Sequence, residues 1–156
     1  MIVVAVSGYR NSGKTTLVER LVAELAEKGR VATVKSIHHD VEIDTPGKDT
    51  YRHRAAGADA VVGLTPSITF TIASAGTEGD GDPDESLDRG IDALDDAYDY
   101  VVAEGFKSAA VPKILVGDIE RDAVAGRILT RVTDARTADV SALADDIDAL
   151  VDERPR

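Results

Sequence analysis

Apolar residues along this chain follow two alternating periods. Short apolar runs at residues 2–6, 31–34, 100–103 and 114–116, rich in Val and Ile, read as buried strands, and residues 128–132 as the last strand. Between the first two runs, Leu17, Val18, Leu21, Val22 and Leu25 recur at helical spacing, and Gly29 stops that helix. This strand–helix–strand order predicts a βαβ unit, with a parallel pair and a right-handed crossover. Residues 37–50 show no periodicity and read as a functional loop, followed by a short helix over 49–56. Residues 60–64 and 67–72 are β-like runs separated by Thr65 and Pro66. A Gly/Asp-rich surface loop is expected at 74–82. Asp82 as a cap, Pro83 in the first turn and Glu85 three residues after the cap then mark a helix start, with Leu87, Ile91 and Leu94 on its apolar face. Residues 117–126 form another polar loop, and Leu143, Ile147, Leu150 and Val151 give the stripe of a closing helix. The alternation predicts an α/β fold, a mostly parallel central sheet flanked by helices, with residues 1–156 as a single domain.

Charge sharpens this picture. Asp and Glu total 29 against 18 Lys and Arg, a net charge of −11. Asp outnumbers Glu 20 to 9, and Arg outnumbers Lys 12 to 6. Such a surface repels nucleic acid and anionic membranes, so neither is expected as a partner. An ordinary solvated coat is one reading. Halophilic adaptation is the favoured one, because salt screens the self-repulsion. With no Cys, thiolate zinc sites, iron–sulfur clusters, disulfides and a cysteine nucleophile are excluded. No apolar run approaches the roughly 20 residues of a membrane span. Residues 1–8 have no basic n-region and leave no room for a signal peptide, so a cytoplasmic protein is expected. Any anionic ligand must then be held by a locally basic site.

One segment supplies that site. Gly8-Tyr9-Arg10-Asn11-Ser12-Gly13-Lys14-Thr15 fits G-x-x-x-x-G-K-[ST] at every fixed position, between a buried strand and an amphipathic helix. Its glycines let backbone N–H groups turn inward around phosphate oxygens, and the helix directs its positive end at the anion. Gly8, Arg10, Asn11, Ser12, Gly13, Lys14, Thr15 and Thr16 are the phosphate-binding candidates. Lys14 is placed to reach the β- and γ-phosphates, and the Thr15 hydroxyl to ligate Mg²⁺. Arg10 is a contact for phosphate or for a second copy of the chain.

In an open parallel sheet, ligands sit beyond the carboxyl ends of the strands. The glycine-rich loop, Lys35, Glu104 and Thr133-Asp134 each follow a proposed strand, so they gather on one edge. Glu104 ends an apolar strand as a Walker B acid does, and is read as binding Mg²⁺ through water or orienting the attacking water. The alternative is a solvated carboxylate. Asp99, at the opposite end of that strand, reads as structural. His38, His39 and Asp40 point to phosphate or Mg²⁺-water contacts rather than a transition-metal site, since adjacent histidines on a strand face opposite ways. Lys48, Arg52 and Lys107 suit anionic groups, the alternative being solvated salt bridges. Asp134 is positioned after the last strand to accept from guanine N1 and N2, unless it is an ordinary turn residue.

Further blocks carry a family resemblance. They are Val34-Lys35-Ser36-Ile37-His38-His39-Asp40, Asp44-Thr45-Pro46-Gly47-Lys48-Asp49-Thr50-Tyr51-Arg52, Ala56-Gly57-Ala58, the segment from Tyr98 to Lys107 ending Glu104-Gly105-Phe106-Lys107, and Pro112-Lys113-Ile114. With the glycine-rich loop they spread over residues 2–116, and the chain resembles the molybdopterin-guanine dinucleotide biosynthesis protein B (MobB) family. The resemblance implies a P-loop NTPase fold and a GTP-binding, weakly GTP-hydrolysing, Mg²⁺-dependent accessory in molybdenum cofactor biosynthesis. It implies a homodimer whose partner is the molybdopterin guanylyltransferase, with a pterin as a further ligand. Two rivals are weighed. A small P-loop kinase passing the γ-phosphate to a small-molecule acceptor usually wants an Arg-rich lid, and only Arg121 and Arg127 are candidates. A metallochaperone GTPase lacks its thiolate or His-cluster handle here.

Overall fold

A computed structural model describes residues 1–73, 83–94 and 97–151. The expected loop at 74–82, with the Asp82 cap, lies outside the described residues. The chain divides into two compact units, one built from residues 1–36 and from 82 onward, the other from residues 37–81.

The first unit holds a five-stranded, wholly parallel sheet. Its strands are β1 (Ile2–Gly8), β2 (Val31–Lys35), β5 (Tyr100–Glu104), β6 (Lys113–Val116) and β7 (Ile128–Val132), in the order β2-β5-β1-β6-β7. Helices α1 (Lys14–Ala26), α3 (Pro83–Asp92) and α4 (Val140–Asp148) flank it. The strands at the centre are apolar at nearly every position because both faces are covered. Ile2, Val4 and Val6 of β1, Tyr100 and Val102 of β5, and Ile114 and Val116 of β6 pack on one face with Leu17, Leu21 and Leu25 of α1 and Leu143 and Ile147 of α4. On the opposite face Ala5 and Ala103 meet Leu87 of α3 and Phe106. Leu115 packs with Ile119 and Val124 of the 117–126 segment.

β1 and β2 are parallel members of one sheet, yet they are not neighbours as a simple βαβ pair would be. β5 lies between them, hydrogen-bonded to both, with Val6 beside Glu104 and Lys35 on its other side. Two helix ends also differ from the apolar stripes. α3 stops at Asp92, before Leu94, and α4 stops at Asp148, with Leu150 in a following 3-10 turn, Ala149–Val151. Asp99 is structural, as expected: its Oδ2 accepts the N–H of Arg30 at 2.8 Å. A Cβ on Gly29 would come within 2.6 Å of that oxygen, so the tight turn into β2 needs glycine.

In the second unit, residues 37–48 form neither helix nor strand; α2 (Asp49–Ala55) follows, then an antiparallel hairpin of β3 (Ala60–Leu64) and β4 (Thr69–Ala73). Thr65 closes the hairpin by accepting from the N–H of Ile68 at 2.8 Å through its hydroxyl. The Phe70 ring lies over Gly63, filling the space a side chain there would take.

Candidate functional site

The site grows from the end of β1. Gly8 leaves the strand with Val116 O and Ser12 Oγ so close that an added Cβ would lie 2.6 and 2.5 Å from them. The chain then turns through Asn11 at φ 62° and Gly13 at φ 95°, left-handed conformations that favour Asn and Gly. α1 starts directly from Gly13, with no capping side chain and no acid in its first turn. Its leading N–H groups therefore have no side-chain cap, the condition in which a helix start can receive an anion. α4 is the contrast: Asp139 Oδ1 accepts the Ala142 N–H at 3.1 Å. Ser12 Oγ, buried inside the turn, has no hydrogen-bond partner among the described residues.

Lys14 folds back over the loop and donates to Tyr9 O at 2.6 Å. Burial holds its pKa below the ordinary lysine range; Glu104 draws it back up, while Lys107 and Lys35 add to the lowering. The Thr15 hydroxyl donates to Glu104 Oε1 at 2.9 Å, closing the loop onto the end of β5. Lys35 Nζ lies 3.2 Å from the same oxygen; the Glu104 side chain is 12% exposed and that of Lys35 53%. Lys107 sits beyond Gly105 and Phe106, both left-handed at φ 104° and 48°. Its ammonium lies over the Tyr9 ring, 4.9 Å from the centroid.

The loop after β7 reaches the same place. Ala135 packs against Gly13, where an added Cβ would stand 3.1 Å from the Ala135 Cβ. Asp134 Oδ1 accepts from the Arg136 N–H at 2.9 Å in a local turn. Its other oxygen takes none of the hydrogen bonds found among the described residues. Thr133 and Asp134 are exposed.

Of the predicted residues, the glycine-rich loop, Lys35, Glu104, Lys107 and the Thr133-Asp134 turn are thus brought to one sheet edge. Arg10 is exposed and Thr16 half-buried. His38, His39, Asp40, Lys48 and Arg52 belong to the second unit and are all exposed within it. There the ion pair is Glu42 with Arg54 at 2.7 Å, while Asp44 accepts from the Thr45 N–H and the Thr50 hydroxyl. No group of three or more His, Asp or Glu among the described residues is arranged to hold a metal.

Three residues without a role in the sequence reading support the site. Arg20 on α1 donates to Ala135 O at 2.6 Å and Ala138 O at 2.9 Å, tying the Asp134 turn to the helix that starts at the loop. The Ser7 hydroxyl donates to Gly105 O at 2.6 Å, holding the turn after Glu104. Lys113 is fully buried at the start of β6 and donates to Ala109 O in that same turn. A Lys opening an otherwise apolar strand was the available signal for the last; the other two had none.

Thr15 and Glu104 offer hard oxygen donors side by side, the set that Mg²⁺ takes in company with water and phosphate. A parallel sheet with a glycine-rich turn at the end of its central strand, opening a helix, defines a P-loop NTPase fold, and solved structures of that architecture match the chain. Molybdopterin-guanine biosynthesis protein B aligns with a TM-score of 0.68 at 26% identity, over 96% of this chain and 99% of that one. MobB of Bacillus subtilis aligns with a TM-score of 0.64 at 26% identity, over 99% of each. The chain belongs to the MobB family, molybdopterin guanine dinucleotide synthesis protein B, whose model matches residues 3–146.

Curated relatives agree. The molybdopterin-guanine dinucleotide biosynthesis adapter protein of Haemophilus influenzae is 37% identical over 113 residues, 71% of this chain and 60% of that protein. The Escherichia coli adapter protein is 31% identical over 114 residues, 72% of this chain and 63% of its own length. A probable molybdopterin synthase of Haloferax volcanii is 34% identical over 144 residues, 92% of this chain but 47% of that protein. The chain therefore spans roughly half to two-thirds of the length of these relatives.

Proposed function

We propose that the chain is a GTP-binding accessory in molybdopterin guanine dinucleotide biosynthesis, with residues 1–156 acting as one nucleotide-binding domain. The observation that carries this is the Thr15–Glu104 hydrogen bond at 2.9 Å, which joins the phosphate loop to a strand-end acid. In this reading Gly8, Asn11, Ser12, Gly13, Lys14, Thr15 and Thr16 receive the phosphates, with Arg10 at the rim. Thr15 and Glu104 would hold Mg²⁺, which when bound would neutralise phosphate charge. Lys14 releases the Tyr9 carbonyl and turns to the phosphates. Glu104 orients water, giving slow hydrolysis to GDP and phosphate.

The chain would act with a molybdopterin guanylyltransferase, as a cytoplasmic homodimer, with Lys35, His38, His39, Asp40, Lys48, Arg52 and Lys107 available to a pterin or to the partner enzyme. Among the described residues no helix is long and apolar enough to cross a membrane. Adding the chain to a guanylyltransferase with Mg²⁺, GTP and molybdopterin should speed dinucleotide formation. An unchanged rate at saturating chain would remove the accessory role.

Guanine is assigned to Thr133 and Asp134, supported by the packing of Ala135 on Gly13. Asp134→Asn should weaken GTP by about tenfold and favour XTP, since a hydrogen bond to a charged acceptor is worth about 1.5–3 kcal/mol and the exposure of Asp134 keeps the loss at the low end. Equal losses for GTP, XTP and ATP in parallel titrations would place base reading elsewhere. The acidic coat is assigned to high salt. The melting temperature should rise steeply from low to molar KCl, and a flat profile would leave the −11 charge as plain solubility.

A further inference from the structure

We propose that Lys35 is the internal counter-cation of the site: it holds the Glu104 carboxylate when no divalent metal is bound, and yields that oxygen when one enters. This rests on the reading of Thr15 and Glu104 as the magnesium ligands. One oxygen carries the argument. Glu104 Oε1 accepts the Thr15 hydroxyl at 2.9 Å and faces Lys35 Nζ at 3.2 Å, so the ammonium occupies the same carboxylate oxygen that a metal held by Glu104 would compete for. The parallel register of β2 and β5 sets Lys35 beside Glu104 at the strand ends, so the two side chains are held as neighbours by the sheet itself.

The two partners are unequally fixed. The Glu104 side chain is 12% exposed and pinned by Thr15, whereas that of Lys35 is 53% exposed. Of the pair, Lys35 is the one free to move. A divalent cation on the same oxygen repels the ammonium with twice the force of a unit charge, which drives Lys35 off. With a nucleotide in the loop, its triphosphate would be the anion open to the displaced ammonium.

Charge distribution points the same way. The chain has six Lys in a net charge of −11, and at this edge Lys14 lies within electrostatic reach of Lys35, Lys107 and the Glu104 carboxylate. Of these three ammoniums, only that of Lys35 is paired with the carboxylate: Lys14 donates to a carbonyl and Lys107 faces a ring. In this arrangement metal and triphosphate reinforce each other: the metal frees a cation for the phosphates, and the phosphates receive the cation the metal displaces.

The test uses Mn²⁺ as the probe, titrated by electron paramagnetic resonance into the nucleotide-free protein. Lys35→Met should bind Mn²⁺ about fivefold more tightly than the wild type, as expected for removing one partly exposed ion-pair competitor. Lys107→Met removes an equal charge nearby without touching Glu104 and should shift affinity less than about twofold. Lys35→Arg should return the affinity towards that of the wild type. With GTP and Mn²⁺ both present, Lys35→Met should bind GTP more weakly than the wild type. A Lys35→Met protein that binds Mn²⁺ no more tightly than the wild type, undetectable binding by both included, overturns the proposal; so does an equal shift for Lys107→Met. Unchanged Mn²⁺ affinity in Glu104→Gln would instead overturn the magnesium reading beneath it.

Discussion

Lys14→Ala is expected to lose GTP binding by at least about a hundredfold while the protein melts no earlier. The loss follows from what the ammonium does. Charge-assisted hydrogen bonds contribute about 1.5–3 kcal/mol each, and a lysine reaching both β- and γ-phosphates makes two. A loss near 3 kcal/mol is about a hundredfold in affinity. The stability half follows from the folded state. Lys14 is the first residue of α1, where a positive charge opposes the helix macrodipole. Its pKa is lowered chiefly by burial, with Lys107 and Lys35 adding to this, so the folded chain carries its charge at a cost that alanine removes. The sign is definite: a lysine whose folded pKa lies below its unfolded value destabilises the fold while protonated. Alanine is also the best helix former. Calorimetric titration with GTP and Mg²⁺, beside a thermal melt, checks both halves. Unchanged affinity would sink the phosphate assignment, and a large drop in melting temperature would make Lys14 a structural residue.

The same residue shows why this loop was legible in the sequence. G-x-x-x-x-G-K-T encodes backbone conformation directly: Gly8 where a Cβ would strike Val116 O, Asn11 and Gly13 where φ is positive. Local geometry of that kind depends on few distant partners. The buried strands were legible for a similar reason, since a strand covered on both faces has no polar position to spare. Strand order was not. Placing β5 between β1 and β2 depends on hydrogen bonds between segments nearly 70 residues or more apart, and nothing in the periodicity of either segment records them.

The supporting residues fall on the illegible side for the same physical reason. Arg20 reads as one more polar position on an amphipathic helix, but its guanidinium spans to Ala135 O and Ala138 O. Only the fold brings those carbonyls to it. Ser7 sits in an apolar run as a small residue, and its bond to Gly105 O exists because β5 pairs with β1. Helix ends drifted by a residue or two where an apolar stripe ran past the last hydrogen-bonded turn, as at Leu94 and Leu150. Residues 37–48 gave no period and form no helix or strand. Of the two expected β-like runs, the first falls at Ala60–Leu64 as read, while the second, expected from 67 to 72, starts two residues later at Thr69–Ala73, because Ser67 and Ile68 belong to the turn that Thr65 closes.

Glu104→Gln separates chemistry from architecture at the heart of the site. Glutamine keeps the shape and one carbonyl oxygen, so the Thr15 hydroxyl retains its acceptor and β5 its packing. What disappears is the negative charge. The ion pair with Lys35 goes with it, and since the Lys35 side chain is 53% exposed that pair contributes no more than about 1 kcal/mol. The melting temperature should therefore move by only a few degrees. GTP binding should stay within a few-fold of the wild type, because in the proposed reading Lys14 and the loop N–H groups, not Glu104, hold the phosphates. Hydrolysis should fall by about a hundredfold, the low end of what a positioned acid–base group contributes. Single-turnover phosphate release at saturating GTP and Mg²⁺ measures this without interference from product loss. Wild-type hydrolysis in the variant would make Glu104 a structural residue that merely anchors Thr15. A loss of binding as large as the loss of hydrolysis would mean that the carboxylate shapes the loop itself, and the water-orienting role would fall.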